Sequence, residues 1–240
     1  DNSKDFLESH KFIDFVVNGE GEKVFLNLVE SIGKKKIVDV EGISFLKESG
    51  EFVTNPKPSR IGNLEDIPSP YLNGVFDELI KKYPNDEWLI LWETNRGCPF
   101  KCTFCSEGAS YYNKVKQRSH KLEDEFSSIA KKSSEVGIKD LFLSDANYGM
   151  FREDGERVKI LSEIKKSTGY PENIYVSTGK NAKERVLNVV SELDGAIQLS
   201  ASLQTTNPRV LQEIERSNIS LEALSESAKE ATSKGIQSYS

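Results

Sequence analysis

The chain has 240 residues, 37% of them apolar, enough to bury one full-sized core plus an appendage. Its 32 basic and 38 acidic residues give a formal charge of -6, which disfavours a surface built to neutralise nucleic-acid phosphates or anionic lipid. No apolar run approaches the roughly 20 residues that span a bilayer, and the opening Asp1-Asn2-Ser3-Lys4-Asp5 lacks the basic and apolar regions of a secretory signal, so a cytoplasmic location without membrane or nucleic-acid partners is expected.

Phe12 to Val17 is an apolar run of strand length, and Gly19-Glu20-Gly21-Glu22 leads into Val24, Phe25, Leu28, Val29 and Ile32 at helical spacing. Short β-type runs, Ile37 to Val40 and Phe52-Val53, flank Gly42 and Gly50 as in a small hairpin. Pro56, Pro58, Pro68 and Pro70 then suit an extended linker. From Trp88 onward strands and helices alternate. The predicted strands are Trp88–Trp92, Asp140–Leu143, Ile174–Val176 and Ala196–Leu199; the helices are Lys121–Val136, Gly155–Lys166, Ala182–Leu193, Pro208–Glu215 and one near Leu221–Thr232. Parallel neighbours need long right-handed crossovers, so this order predicts an α/β fold with a parallel sheet, either doubly wound or a barrel. The start on Asp1 rather than Met, and an ending at Gly235 to Ser240 that reads as a strand just begun, fit a fragment of a longer protein.

Directly after the first of these strands stands Glu93-Thr94-Asn95-Arg96-Gly97-Cys98-Pro99-Phe100-Lys101-Cys102-Thr103-Phe104-Cys105. All three cysteines of the chain lie in this loop, too few and too close for a disulfide framework. Three thiolates on one short loop can meet three corners of an iron-sulfur cube, leaving one iron without a protein ligand. A structural zinc site is normally closed by four ligands, and the nearest histidine is the distant His120. An electron-carrying ferredoxin would use four cysteines. Three unrelated core thiols would not be expected to share one glycine-preceded loop.

The spacing C-x-x-x-C-x-x-C, with Phe104 just before its third cysteine, resembles the signature of the radical S-adenosylmethionine (radical SAM) superfamily, whose members use a partial or full (β/α) barrel. The resemblance implies that Cys98, Cys102 and Cys105 ligate a 4Fe-4S cluster and that the open iron is chelated by S-adenosylmethionine. One electron, from a donor such as flavodoxin or ferredoxin, then cleaves the sulfonium to give a 5′-deoxyadenosyl radical that attacks an unread substrate. It further implies cofactor contacts from Phe104, near adenine; from Asp145 and Asn147, where the superfamily carries Gly-Gly-Glu; and from Ser177, Lys180, Ser200 and Gln204 at strand ends. Ser177, Thr178, Ser200 and Ser202 are equally ordinary as helix caps, Ser144 to Gly149 as an Asx-turn, and Phe104 as plain core beneath the loop. No catalytic side chain is named.

The run Asp14 to Glu22 resembles the last strand and helix start of the cobalamin-binding domain found in one subgroup of the superfamily, and Ile67-Pro68-Ser69-Pro70-Tyr71-Leu72 resembles that subgroup's lead into its barrel. Asp-x-His-x-x-Gly, the cobalamin signature, is absent, so cobalamin is implied for the parent protein. The expected organisation is a remnant of a Rossmann-like cobalamin domain over 1–35, a hairpin and Pro-rich linker over 36–72, and a partial TIM-like barrel over 73–240. The expected activity is radical chemistry from reductive cleavage of S-adenosylmethionine, extending to cobalamin-dependent methyl transfer in the complete protein. The competing expectation is a non-catalytic interaction module stabilised by zinc or an iron-sulfur centre.

Overall fold

The computed structural model describes residues 2–34, 37–118, 122–179, 181–200, 202–236 and 238–239, which fall into two compact units, Asp1–Ile67 and Pro68–Ser240. Among the described residues no helix is long and apolar enough to cross a membrane.

In the first unit, helix α1 (Ser3–Ser9) precedes strand β1 (Phe15–Val17), helix α2 (Gly21–Ser31) and the hairpin β2 (Ile43–Leu46) and β3 (Phe52–Thr54). All pairings are antiparallel, in the order β1-β2-β3. The hairpin begins later than the sequence suggests. Ile37–Asp39 forms a 3-10 turn, while Ile43 and Phe45 bury against Val24 and Leu28 of α2, so burial decides which β-type run becomes the strand. Phe12, expected to open β1, is 81% exposed and lies outside it. Asn18 Nδ2 donates to Ser44 Oγ at 2.7 Å, and Ser44 Oγ donates to Thr54 Oγ1 at 2.8 Å, crossing all three strands. The Glu20 carboxylate, next to the α2 N-terminus, accepts from Arg60 Nε at 3.2 Å and from the Ile61 amide, so the segment up to residue 61 packs on this unit.

The second unit opens with helix α3 (Asp77–Lys82), absent from the sequence-based expectation, and then builds the parallel sheet. Strands β4 (Leu89–Trp92), β7 (Asp140–Leu143) and β8 (Asn173–Tyr175) pair in that order, with Trp92 opposite Leu143 and Phe142 opposite Tyr175. Ile174 bridges in parallel to Ile197, and β9 (Leu199–Ser200) pairs in parallel with β10 (Ser238–Tyr239). Strand follows strand in chain order, each joined through a helix, which is the order of an unclosed (β/α) barrel. The intervening helices are α4 (Leu122–Val136), α5 (Asp154–Thr168), α6 (Lys183–Ser191), α7 (Pro208–Glu213) and α8 (Leu221–Ser233).

Helical spacing explains the packing. Phe126, Ile129 and Ala130 of α4, Val158 and Leu161 of α5, and Val186, Leu187 and Val190 of α6 all bury in the core with Ile90, Trp92, Leu141, Leu143 and Ile174. Each large apolar side chain so buried contributes about 1.5–3 kcal/mol. Asn207 caps α7 by accepting from the Arg209 and Val210 amides, with Pro208 in the first turn, and Ser220 caps α8. The strand ends that follow β4, β7, β8 and β9 all fall at the carboxyl edge of the sheet, where Asp145, Asn147, Ser177 and Ser200 lie.

Candidate cofactor site

The cysteine loop is tied off at its base. Asn95–Arg96 (β5) pairs antiparallel with Lys116–Gln117 (β6), so residues 97–115 form a closed excursion above β4. Beneath this ladder lies a buried polar network. Arg157 of α5 donates through Nη1 to Gln117 Oε1 at 2.7 Å and to Thr94 Oγ1 at 3.2 Å, and through Nη2 to the Arg118 carbonyl at 2.6 Å. Glu125 accepts from Trp92 Nε1 at 2.8 Å and pairs with Arg118 Nη1 at 3.2 Å.

Asp145 is the centre of that network. One carboxylate oxygen accepts from the amides of Thr94 at 2.8 Å and Asn95 at 3.2 Å; the other accepts from Asn95 Nδ2 at 2.8 Å and from the Thr94 hydroxyl. The side chain is 2% exposed, and burial holds its pKa above the usual carboxylate value against these hydrogen bonds and Arg157. The family resemblance implies a cofactor contact for Asp145, beside the alternative of an Asx-turn. Its four acceptor contacts instead turn it inward, where it fastens the base of the cysteine loop to the end of β7.

Asp154, at the start of α5, accepts from the Gly149 amide at 2.8 Å and the Phe151 amide at 3.0 Å. It is fully buried; desolvation, with the nearby Asp145 charge, pushes its pKa up to about 6 despite those amides and Arg157. Because the folded carboxyl keeps its proton to higher pH than the unfolded one, stability falls as pH rises from the unfolded value of about 4 through the folded one. Asp154→Asn keeps an acceptor without the charge. Relative to the unaltered chain it should therefore gain on the order of 3 kcal/mol in unfolding free energy between pH 4 and pH 7; a difference that stays flat across that range would contradict the assignment.

The loop enters on Gly97, whose φ of 108° is open to glycine and to few other residues. Turns then stack the cysteines: the Cys105 amide donates to the Cys102 carbonyl at 3.1 Å, the Gly108 amide to the Cys105 carbonyl at 3.0 Å, and the Cys98 amide to the Tyr112 carbonyl at 3.2 Å. A Cβ on Gly108 would lie 2.2 Å from the Cys102 carbonyl oxygen, so only glycine fits this close approach. Cys98 is half-buried, Cys102 buried and Cys105 exposed, and none is in a disulfide.

The three cysteines border one cleft of about 270 Å³. Its lining includes the strand-end residues Asn147, Ser177, Thr178, Ser200, Ser202 and Gln204, together with Phe104, Glu107 and Arg216. The backbone explains the convergence: the Tyr148 amide donates to Ser177 and the Gly179 amide to Tyr148, extending the β7–β8 pairing into the loops, while Thr178 Oγ1 donates to the Ser200 carbonyl at 2.7 Å. Ser200 Oγ in turn accepts from the Thr178 amide at 3.3 Å, so this hydroxyl joins the ends of β8 and β9 as well as facing the cleft. Gln204 sits at φ 62°, a conformation uncommon for a residue with a side chain. Lys180 lies outside the described residues. Among those described, no three His, Cys, Asp or Glu side chains converge on the position of a single metal ion.

Residues 92–240 match the Radical SAM superfamily. The chain belongs to that superfamily. The cobalamin-dependent radical SAM methyltransferase TokK of Streptomyces tokunonensis is 31% identical over 247 residues, covering 100% of this chain and 36% of TokK. The 2-(S-pantetheinyl)-carbapenam-3-carboxylate methyltransferase of Streptantibioticus cattleyicolor is also 31% identical, again over 100% of this chain and 36% of its own length. Among solved structures, the radical S-adenosylmethionine methyltransferase TsrM from Kitasatospora setae, with cobalamin and a 4Fe-4S cluster bound, superposes with a TM-score of 0.69 at 16% identity, covering 99% of this chain and 47% of that one. That likeness speaks for the fold. The chain spans about a third of the length of the curated relatives it matches.

Radical SAM enzymes use a 4Fe-4S cluster with S-adenosylmethionine, and the donor set here suits such a cluster: three free thiols on one loop, no fourth cysteine in the chain, and an adjoining polar cleft. Phe104, Asn147, Ser177, Ser200 and Gln204 come together with them. Sequence reasoning missed Arg157, whose role rests on joining two segments distant in sequence, Thr94 and Gln117-Arg118. It also missed Arg216, which reaches the cleft because Glu215, at φ 47°, turns the chain back at the end of α7. An arginine just past a short helix carries no sequence signal of that kind.

Proposed function

We propose that Cys98, Cys102 and Cys105 hold a 4Fe-4S cluster and that the adjoining cleft binds S-adenosylmethionine, making this chain the catalytic barrel portion of a cobalamin-dependent radical SAM methyltransferase. The observation that carries the reading is the meeting of all three thiols with strand-end polar groups from β7, β8 and β9 in one cleft. When bound, the cluster supplies the electron that cleaves the sulfonium of S-adenosylmethionine reductively. The chain's own residues grip and orient. Gln204, exposed at the mouth, and the hydroxyls of Ser177, Ser200 and Ser202 offer donors and acceptors suited to a ribose and an amino-acid end, and Phe104, 53% exposed on the loop, offers a ring face to a purine. In this reading residues 1–35 represent the end of the cobalamin domain and 36–72 its link to the barrel, and a flavodoxin- or ferredoxin-type protein serves as electron donor to a cytoplasmic enzyme. The substrate is a small molecule, as for the carbapenam-acting relative.

Gln204→Ala should keep the iron and sulfide of the reconstituted chain while weakening S-adenosylmethionine binding roughly ten- to a hundredfold, the effect of losing one hydrogen bond to a charged ligand. Calorimetric titration of the cluster-loaded chain measures this. Unchanged affinity would place the ligand elsewhere.

A further inference from the structure

Two side chains from different elements point at the cysteine sulfurs. Asn147, in the loop after β7, brings Nδ2 to 3.2 Å from Cys98 Sγ. Arg216, just past α7, brings Nη1 to 3.8 Å from Cys102 Sγ. We propose that Asn147 and Arg216 set the reduction potential of the cluster by donating to the sulfurs of Cys98 and Cys102. This rests on the reading that the three cysteines hold a cluster.

Arg216 is held independently of any cofactor. Its Nε donates to Asn218 Oδ1 at 2.8 Å, its Nη2 donates to the Ser202 carbonyl, and its guanidinium lies 5.9 Å over the Phe104 ring centroid. Asn218 is clamped in turn, donating through Nδ2 to the carbonyls of Leu203 at 2.6 Å and Thr205 at 2.9 Å. The Schellman-type bond from the Arg216 amide to the Leu211 carbonyl, at 2.9 Å, fixes the backbone behind it. Asn147 is equally constrained. It is 7% exposed, its carbonyl accepts from the Met150 amide at 3.1 Å, and the next residue is locked to Ser177 and Gly179.

The electrostatic consequence follows from where these donors act. Reduction adds one electron to the cluster and its thiolates, and hydrogen bonds or positive charge at the sulfurs favour the more negative state, which raises the potential. Arginine stays protonated at any working pH. Cys102 is only 6% exposed, so water screens its neighbouring cation poorly. Arg216 should therefore act more strongly than the neutral amide of Asn147.

The test is a redox titration of the anaerobically reconstituted 240-residue chain, followed by electron paramagnetic resonance and without S-adenosylmethionine. Arg216→Gln keeps donors and loses the charge; Arg216→Lys keeps the charge; Asn147→Leu removes the other donor at similar volume. At a fixed applied potential the ratio of reduced to oxidised cluster should fall about tenfold in Arg216→Gln, equivalent to a midpoint about 59 mV lower for one electron. It should fall less in Arg216→Lys and about two- to threefold in Asn147→Leu. Should Arg216→Gln lose its cluster, Asn147→Leu decides by the same measure. Unaltered midpoints in the variants that retain wild-type iron and sulfide would overturn this proposal alone. Failure of the unaltered chain to take up a cluster would overturn the functional reading itself and this proposal with it.

Discussion

Replacing any one of Cys98, Cys102 or Cys105 with alanine should abolish the cluster, leaving iron and acid-labile sulfide near zero after reconstitution under conditions that load the unaltered chain. In the proposed assignment the cube would have three protein ligands and no reserve, since the sequence contains no other cysteine. The three thiols differ in exposure, from buried Cys102 to exposed Cys105, yet the loss should be equally complete in each. Unfolding of the apo chain separates ligand loss from misfolding: Cys105→Ala, at an exposed position, should shift stability by no more than about 0.5 kcal/mol. Wild-type iron and sulfide in any single variant would remove that residue from the ligand set.

Asp145→Ala should be the most damaging substitution outside the cysteines. It strips the acceptor from two buried amides, a side-chain amide and a hydroxyl at the base of the cysteine loop, and removes one of the two carboxylates near Arg157, the other being Asp154 at 3.6 Å. Removing one partner from a buried charged arrangement typically costs about 3–5 kcal/mol, a large share of the 5–15 kcal/mol that holds a domain folded. Denaturant unfolding of the apo chain should show that loss, and the reconstituted variant should retain less cluster although no ligand has changed. Asp145→Asn, which keeps one acceptor oxygen, should lose less on both measures. Stability within about 1 kcal/mol of the unaltered chain in Asp145→Ala would contradict the anchoring role.

The parts of the site legible in the sequence are those that lie close together along the chain. The cysteine spacing sits in eight consecutive residues, and the alternation of apolar strands with helical stripes located β4, β7 and α4 to within one or two residues at most ends. Strand ends were harder. Only Leu199–Ser200 forms a ladder where Ala196–Leu199 was expected, because Ile197 meets the third strand in a single bridge and pairing with β10 sets the rest. Asp145 shows why roles were harder still. A carboxylate at a strand end has the same sequence signature whether it faces a ligand or turns inward, and the deciding partners, Thr94 and Asn95, lie some fifty residues earlier. Arg157 and Arg216 are invisible for the same reason, as their contacts cross from helix to loop over long separations. In the first unit, periodicity gave α2 but not the antiparallel pairing of β1 with the hairpin, which depends on which face of Ile43–Leu46 meets the helix.

The most direct measurement is the metal and sulfide content of the unaltered chain after anaerobic reconstitution with iron and sulfide, set against loading with zinc. About four irons and four acid-labile sulfides per chain are expected, the content of one 4Fe-4S cluster. One tightly held zinc with no sulfide would contradict the cluster assignment and leave a metal-stabilised module in its place.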